Sequence, residues 1–521
     1  MKEFTMFAGS KFPSFAGFYT DSAQFSGMRD CRIPSLLTLK NGRVIAAADK
    51  ASCGADWGRI ETVVRISDNG GESFSPLKTV LSVPVRKYPY SADEYSCAFV
   101  IDPQMCENED GKVIMLVDFY PECKGLHAPE LLEKASAYIF SAGEWQMQLF
   151  TVGADKNTNG KCFTLHGDGF VYTPDGVKTR YYIPKKHSPE YAYGTLGDMY
   201  FCAGEQPQYL ECYPPLFPEN KPGQDIYVGN IYLGGEKPQF SAVAPKGVTK
   251  RRLFDADGSL LCAETAAAPL TAVVTSYIFM LESSDGGESF SQPVDITPYI
   301  KDSYDGDFLG VGPGLSLCLK YSEKKGRILS PVYILGKAAV IISDDGGKSW
   351  RRGKERFCEN IDECQLIETP DGRVFCIGRP LDGGNIPLSV SEDAGESFKS
   401  LAPSPLSVAK CMKSAISLPE TMALPDGLKN DGFYILMSTP TGHGGKDFSR
   451  TDGTVFLGHI EGKRICWLKS YAVKDSKKYA SFAVYDDFFA YSCLTVLPSG
   501  KIGLLYEAYP SGLIMLAEFS L

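Results

Sequence analysis

Four copies of one eight-residue turn constrain the fold of this chain more than any other feature of its sequence. They read SDNGGESF at 67–74, SSDGGESF at 283–290, SDDGGKSW at 343–350 and SEDAGESF at 391–398. In the shared pattern, Ser-x-Asp/Asn-x-Gly-x-x-aromatic, the Asp or Asn side chain can bond back to backbone N–H groups and the Gly can take a positive φ. The aromatic ring can pack against the strands that the turn joins. Self-similarity at intervals of about 40 to 70 residues predicts a propeller or solenoid rather than one conventional core.

A second repeat consists of short apolar runs that flank a glycine. They read LKNGRVIAA, NEDGKVIML, SEKKGRILSPVY, TPDGRVFCIG, LKNDGFYILM and LPSGKIGLLY, with glycine at 42, 111, 326, 372, 432 and 500. Each unit is typical of a β-hairpin. Six hairpins, with marker turns following four of them, predict an all-β protein built as a six-bladed β-propeller.

The spacing of the two repeats is interrupted once. The marker turn at 283–290 follows the hairpin glycine at 111 at a much greater distance than elsewhere, and the intervening sequence has its own strand and turn signals, such as FTLHGDGFVYTPDGVKTRYYI. We therefore expect a β-rich insertion domain at 148–268 within the second blade. The propeller then comprises 1–147 and 269–521.

Composition narrows the classes of function. The formal net charge of −10 argues against a general nucleic-acid binder, which would present a basic face, although a few concentrated arginines could still bind an anionic ligand. The 16 cysteines and five histidines include no C-x-x-C or H-E-x-x-H pattern, so no catalytic metal or other cofactor is expected. Cysteines within apolar runs such as SCLTVL behave as small buried hydrophobes and are typical of a reducing compartment.

The sequence carries no sign of membrane attachment. It has no run of about 18 apolar residues, and MKEFTMFAGSKFPSF lacks the apolar segment and cleavage site of a signal peptide. We expect a cytoplasmic protein, or a secreted one if a leader has been removed, and a monomer.

Candidate functional residues should lie where the inner strands of different blades converge. Six polar residues start inner strands or end their hairpins: Arg32, Glu363, Arg379, Arg450, Tyr491 and Glu507. Each has a structural alternative when taken alone. Arg32 could be a solvated strand end, Glu363 and Arg379 could form a structural ion pair, and Tyr491 could be a core residue.

Taken together and in this order, these elements resemble the bacterial sialidase (exo-α-neuraminidase) family. That family has an F/Y-R-I-P motif, Asp-box turns like those above, a late Tyr and a hairpin ending in L-Y-E. Here the first motif reads CRIP, with Cys31 in place of the aromatic residue, and the resemblance continues through GVGPGLSLCLK and KGRILSPVY within 310–333. It implies a β-propeller and also an inserted β domain.

The resemblance also implies a role for each candidate. The three arginines that bind the carboxylate of sialic acid would be Arg32, Arg379 and Arg450. Tyr491 would be the nucleophile, Glu363 the carboxylate that activates it, and Glu507 the residue that orients Arg32. The family's general acid/base is an Asp in a loop after the first Arg, which matches Asp56 in DKASCGADWGRI.

Asp49 competes with Asp56 for the acid/base role. It lies nearer the strand, where orienting Arg32 would be its more natural role. The family often has A-D-x-R before the acid, whereas this chain reads ADKA, with Lys50 and Ala51, so that secondary arginine is missing.

The implied function is an exo-α-sialidase that removes terminal sialic acid from sialylated glycans or gangliosides with retention of configuration. One alternative is an intramolecular trans-sialidase, in which a hydroxyl of the sugar's own glycerol chain replaces water and the product is anhydro-sialic acid. A third, of another class, is a non-catalytic propeller that only binds sialic acid.

Overall fold

The computed structural model describes a chain made almost wholly of β-strands. The residues that it describes are 2–8, 30–51, 56, 60–82, 99–120, 138–151, 162–166, 168–182, 198–201, 226–230, 251–255, 260–266, 270–272, 276–301, 308–334, 336–425, 427–442, 449–473, 488–508 and 513–521. No helix in these ranges is long and apolar enough to cross a membrane. Within them a four-residue helix, α1 (Thr297–Ile300), lies among the strands, which confirms the all-β prediction.

Two largely antiparallel sheets contain the first two predicted hairpins. The first has the order β2–β3–β4–β5, with β2 (Asp30–Thr38), β3 (Val44–Ala51), β4 (Ile60–Ser67) and β5 (Lys78–Leu81). The second joins β6 (Phe99–Glu107), β7 (Val113–Tyr120), β18 (Tyr277–Ser283) and β19 (Val294–Asp295), with β21 (Gly314–Leu315) parallel to β6.

A ten-stranded sheet separates β7 from its partner β18 along the chain. It comprises β8 (Tyr138–Ser141), β9 (Glu144–Thr151), β10 (Phe163–Leu165), β11 (Phe170–Tyr172), β12 (Lys178–Tyr182), β13 (Asp198–Phe201), β14 (Ile226–Asn230), β15 (Arg251–Asp255), β16 (Leu260–Ala266) and β17 (Leu270–Ala272). The sheet therefore begins before position 148 and ends after position 268. Residue 268 itself lies outside the described ranges.

Two hairpins join into one nine-stranded sheet. It contains β20 (Gly310–Val311), β22 (Leu317–Cys318), β23 (Ile328–Ile334), β24 (Gly336–Ser343), β25 (Arg351–Arg352), β26 (Phe357–Glu368), β27 (Val374–Pro380), β29 (Leu388–Ser391) and β30 (Lys399–Ser400). The chain links the two halves where β24 pairs with β26. A small two-stranded sheet pairs β28 (Gly384–Ile386) with β31 (Ser404–Val408).

The last two sheets bring the two ends of the chain together. One has the order β32 (Ser414–Ser417), β33 (Tyr434–Pro440), β34 (Gly453–Glu461) and β35 (Arg464–Ala472). In the other, β1 (Lys2–Ala8) is the outer neighbour of β38 (Leu513–Phe519), which continues to β37 (Ile502–Ala508) and β36 (Phe489–Val496). Met6 and Leu36 from the start of the chain share an apolar cluster with Leu505 and Leu516 from its end, so the first and last sheets pack together.

The local chemistry predicted for the marker turns is confirmed. In the turn at 283–290, Asp285 Oδ1 accepts hydrogen bonds from the Ser283 hydroxyl at 2.8 Å and from the Ser289 N–H at 2.9 Å. The Gly287 N–H donates to Ser283 Oγ at 2.8 Å, and Gly287 has φ +93°. The six hairpin glycines likewise all have positive φ, between 76° and 88°.

Three of the four marker turns also pack against the sheet that precedes their own, and the fourth, through Gly395, lies against Leu329 of the preceding hairpin in its own sheet. A Cβ at Gly287 would lie 2.9 Å from Ile45 Cδ1 of the first sheet, and one at Gly347 would lie 2.9 Å from Ile114 Cδ1 of the second. The marker turn of the first sheet packs against the last sheet, because Gly71 lies against Leu497 beside β36. The recurring glycine therefore allows both a left-handed turn and close contact between neighbouring sheets.

Candidate active site

A tyrosine, a glutamate and an arginine from two sheets form the centre of the site. The Tyr491 hydroxyl donates to Glu363 Oε1 at 2.6 Å, and Arg379 Nη1 donates to the Tyr491 Oη at 3.0 Å and to Glu363 Oε2. All three side chains are buried. Burial, and then the Glu363 carboxylate, raises the pKa of Tyr491 well above its usual range. The phenol is therefore neutral, and it has a carboxylate placed to receive its proton.

The other two arginines also border Tyr491. The Arg450 guanidinium carbon lies 5.3 Å from the centre of the Tyr491 ring, and Arg450 Nε donates to the Lys410 carbonyl at 3.4 Å. Arg32 is an electrostatic neighbour of Tyr491. Arg379 and Arg450 thus contact this phenol and Arg32 acts on it electrostatically, although the three arginines come from distant parts of the chain.

Arg32 is held between two carboxylates. Its Nη1 donates to Asp56 Oδ1 at 2.7 Å, and its Nε lies 3.6 Å from Glu507 Oε1. Burial lowers the pKa of Arg32, and Glu507 and Asp56 raise it, with a net upward shift. Glu507 also accepts the Ile33 N–H at 2.8 Å while Ile33 has φ +56°. This left-handed conformation is rare for a β-branched residue, so Glu507 stabilises the backbone that aims Arg32.

Asp49 and Asp56 lie in different environments. Asp49 is 1% exposed, and its Oδ2 accepts the Asp102 N–H at 3.0 Å. Burial raises the pKa of Asp49 well above its usual range, whereas Arg32 acts in the opposite direction. Asp56 has a side chain that is 19% exposed and is hydrogen-bonded to Arg32. Of the two carboxyls, Asp56 is the one that a substrate can reach.

Sequence reasoning missed several acids of the site. Asp362, next to Glu363, lies with Oδ2 3.8 Å from Arg379 Nε, and burial, then Glu363, raises its pKa to about 6. The adjacent acids in the apolar strand IDECQLIE were an available signal. Asp102 was signalled less directly, since VIDPQ in the second inner strand parallels CRIPS in the first. Burial, and then the neighbouring Asp118, raises the pKa of Asp102.

A shared backbone irregularity directs these side chains into the site. In β26 two residues, Asp362 and Glu363, stand opposite the single residue Arg379 of β27, because the register shifts between Ile361 and Cys364. The inner strands β2, β6 and β36 have the same shift, between residues 32 and 35, 101 and 104, and 489 and 492. Such bulges bend a strand and re-aim its side chains.

A cleft of about 760 Å³ lies close to this cluster but does not contain it. Its wall includes Pro380 and Leu381, which directly follow Arg379, together with Phe357 and Phe398. None of the eight candidate residues lines it. Among the described residues, no group of three or more His, Cys, Asp or Glu side chains is arranged to hold a metal ion. The ten described cysteines are free thiols, eight of them buried.

The sequence of this chain is similar to one family model and to several curated sialidases. The family of the BNR repeat-like domain matches residues 253–443. The chain is 25% identical over 517 residues to the anhydrosialidase of Macrobdella decora, covering 95% of this chain and 59% of that protein. It is 24% identical over 504 residues to sialidase B of Streptococcus pneumoniae, covering 92% of this chain and 62% of that protein.

The chain is thus similar in sequence to bacterial-type sialidases along most of its length. Its fold is similar to that of the intramolecular trans-sialidase from Ruminococcus gnavus, with a TM-score of 0.65, 22% identity, and coverage of 97% of this chain and 96% of that one. The leech intramolecular trans-sialidase gives a TM-score of 0.64 at 22% identity, covering 94% of this chain and 68% of that one. The sialidase neighbours are β-propellers, so this chain shares that fold class. It spans about three fifths of the length of the two curated relatives.

Proposed function

We propose that this protein is an exo-α-sialidase that cleaves terminal sialic acid from glycoconjugates by a retaining double displacement. The observation that carries the proposal is the Tyr491 hydroxyl, 2.6 Å from Glu363 Oε1 and 3.0 Å from Arg379 Nη1. A phenol hydrogen-bonded to a carboxylate is an activated nucleophile. Sialidases with a tyrosine nucleophile are a recognised exception to the two-carboxylate scheme of glycosidases.

The charges around Tyr491 match the substrate. Sialic acid carries a carboxylate on its anomeric carbon, which would repel a carboxylate nucleophile, whereas a neutral phenol avoids the repulsion. Arg379 and Arg450 contact the phenol, and Arg32 acts on it electrostatically. Their planar guanidiniums can hold a carboxylate through paired, charge-assisted hydrogen bonds, which a lysine cannot reproduce.

We assign the proton transfers as follows. Glu363 receives the proton of Tyr491 as the bond from the phenol oxygen to the anomeric carbon forms. Asp56 protonates the departing glycosidic oxygen and then deprotonates the water that releases α-sialic acid. Its partial exposure and its position beside Arg32 support this role over that of the buried Asp49.

A covalent trap tests the nucleophile. A 3-fluorosialosyl fluoride has a good leaving group and forms a glycosyl-enzyme that hydrolyses slowly. Mass spectrometry of the digested protein should find the sugar on the peptide that contains Tyr491, and Tyr491→Phe should take up no label. A label on a carboxylate would refute the mechanism, and binding without any label or turnover would favour the non-catalytic alternative.

A second candidate is favoured by the relatives. One is an anhydrosialidase, and two structural neighbours are intramolecular trans-sialidases. In that reaction a hydroxyl of the bound sugar, instead of water, attacks the glycosyl-tyrosine. The two products differ by one water, so mass spectrometry of the sugar released from sialyl-lactose separates the candidates.

We further propose that the sheets form six propeller blades with an inserted domain. The six hairpins, the pairing of β1 with β38, and the packing of marker turns on preceding sheets support a closed ring. The ten-stranded sheet between β7 and β18 supports an insertion in the second blade. An experimental structure with five or seven blades would overturn this architecture.

A further inference from the structure

A buried lysine lies behind the arginines of the site. Lys413 is 2% exposed, and its Nζ donates to the Cys411 carbonyl at 2.8 Å and to the Ala409 carbonyl at 3.4 Å. Both of these partners are backbone carbonyls, so within the described part of the chain no carboxylate is hydrogen-bonded to this ammonium. Burying a cation without a hydrogen-bonded counterion costs free energy. The mechanism proposed above assigns no role to Lys413.

The lysine closes a loop that supports Arg450. The loop runs from Ala409 to Lys413, and it is anchored where the Ala409 N–H donates to the Pro440 carbonyl at 3.1 Å. Within it, the Cys411 N–H donates to the Ala409 carbonyl at 2.9 Å. The carbonyl of Lys410 accepts Arg450 Nε at 3.4 Å. The contacts from Lys413 therefore continue through the loop to one arm of the proposed clamp.

We propose that Lys413 is a positioning residue of the carboxylate clamp: its ammonium holds the loop that seats Arg450, and its charge favours an anion bound by the arginines. The inference rests on the proposed function, because it assumes that the arginines receive the carboxylate of sialic acid. Lys413 acts through Arg450 and through its electrostatic field, without touching the reacting atoms.

This placement makes substrate binding sensitive to pH. Burial lowers the pKa of Lys413 to about 7; Cys411 and Glu363 act upward on it, and Arg379 and Arg450 act downward. A bound carboxylate favours the ammonium, so binding above this pKa takes up a proton. The contribution of Lys413 to affinity should be constant below about pH 7 and should fall above it by at most about tenfold per pH unit.

Among the described residues, Asp362 is a second group whose titration affects affinity near this range. Its pKa is about 6, and its ionisation would oppose a bound anion. The resulting loss of affinity would be centred about one pH unit below that of Lys413, and substitution of Lys413 would leave it in place. The two contributions can therefore be separated.

Calorimetry with free sialic acid tests the proposal. Titrations between about pH 6 and about pH 9 in two buffers of different ionisation enthalpy measure both affinity and proton uptake. Lys413→Gln keeps a donor for the loop carbonyls but has no charge, and Lys413→Arg keeps a charge that does not titrate. Lys469→Gln, at an exposed position of β35, controls for the loss of one positive charge.

In the parent protein and in Lys469→Gln we expect affinity to fall about two- to fourfold between about pH 7 and about pH 8.5, with proton uptake. Lys413→Gln should bind about three- to tenfold more weakly at about pH 6 and lose the fall above about pH 7. Lys413→Arg should bind like the parent at about pH 6 without that fall. For turnover, Lys413→Gln should raise KM more than it lowers kcat.

The outcomes separate the two proposals. If the parent protein does not bind sialic acid at any pH, the proposed function fails and this inference fails with it. If the parent binds but Lys413→Gln keeps the same fall in affinity and the same proton uptake, only the role of Lys413 is refuted. Should both variants fail to fold, the absence of proton uptake by the parent above about pH 7 is sufficient to refute it.

Discussion

The assignment of Asp56 as general acid predicts a defect that depends on the leaving group. Natural sialosides leave as sugar alkoxides and need a proton, whereas nitrophenyl sialosides leave as stabilised phenolates and need little help. Removing the acid should therefore slow the first kind of substrate much more than the second. Asp56→Asn and Asp49→Asn compare the two candidate acids with little change of volume.

The structure separates two parts of the Asp56 effect. The hydrogen bond to Arg32 at 2.7 Å is between side chains that are 18% and 19% exposed, so its loss should cost about 1 kcal/mol, or roughly fivefold, on both substrates alike. Loss of acid catalysis should cost a further 10² to 10⁴-fold, as an order of magnitude, on sialyl-lactose alone. In Asp56→Asn, Arg32 still has Glu507 Oε1 at 3.6 Å from its Nε. This remaining ion pair limits the loss of activity that the two substrates share.

Asp49→Asn should behave differently. Asp49 is fully enclosed and has a raised pKa, and its Oδ2 accepts the Asp102 N–H. An asparagine can keep that acceptor, so both substrates should lose about the same small factor, on the order of tenfold or less.

The assay is kcat/KM for both variants on sialyl-lactose and on a nitrophenyl sialoside, expressed as a ratio for each protein. A ratio that changes for Asp49→Asn and stays constant for Asp56→Asn would show that Asp49 is the acid. If neither variant changes the ratio, neither residue protonates the leaving group.

Three further predictions concern the clamp, its pH dependence and the ring of sheets. Arg379→Lys keeps the charge but not the planar fork, so the transition state should lose about 1.5 to 3 kcal/mol of stabilisation and kcat/KM should fall roughly 10- to 150-fold. Unchanged kinetics would exclude Arg379 from the clamp. Asp362→Asn should abolish the part of the pH dependence of sialic acid binding that is centred near the pKa of about 6, where affinity in the parent falls as pH rises; an unchanged profile in calorimetry would contradict this. Gly287→Ala should lower the free energy of unfolding in urea by about 1 to 3 kcal/mol, because the new Cβ would lie 2.9 Å from Ile45 Cδ1. Gly143→Ala, with φ +85° and open space around it, should cost less, and an equal cost would argue against tight packing between the sheets.

The sequence by itself determined the turns and therefore the class of the fold. The bonds that shape a marker turn join residues two or four positions apart, such as Ser283, Asp285 and Ser289. Chemistry over such short distances along the chain depends only on residue type and order, so the repeat could be interpreted directly. Six of the eight candidate residues stood out by their positions at strand starts and hairpin ends. Their roles, and the candidates Asp56 and Asp49, came from the resemblance to the sialidase family, and it is the structure that shows how close to one another they lie.

Only the tertiary structure decided how the site is assembled. Tyr491 and Glu363 are 128 residues apart in sequence and 2.6 Å apart in space, and no local pattern records that contact. The bulges in the inner strands break the alternation of side chains, so the direction of Asp362 and Glu363 could not be deduced from their positions in a strand. Lys413 appeared in the sequence as an ordinary lysine before a strand. Its burial, and with it a pKa of about 7, exists only once the loop has closed against the arginines, because desolvation depends on every element packed around the charge.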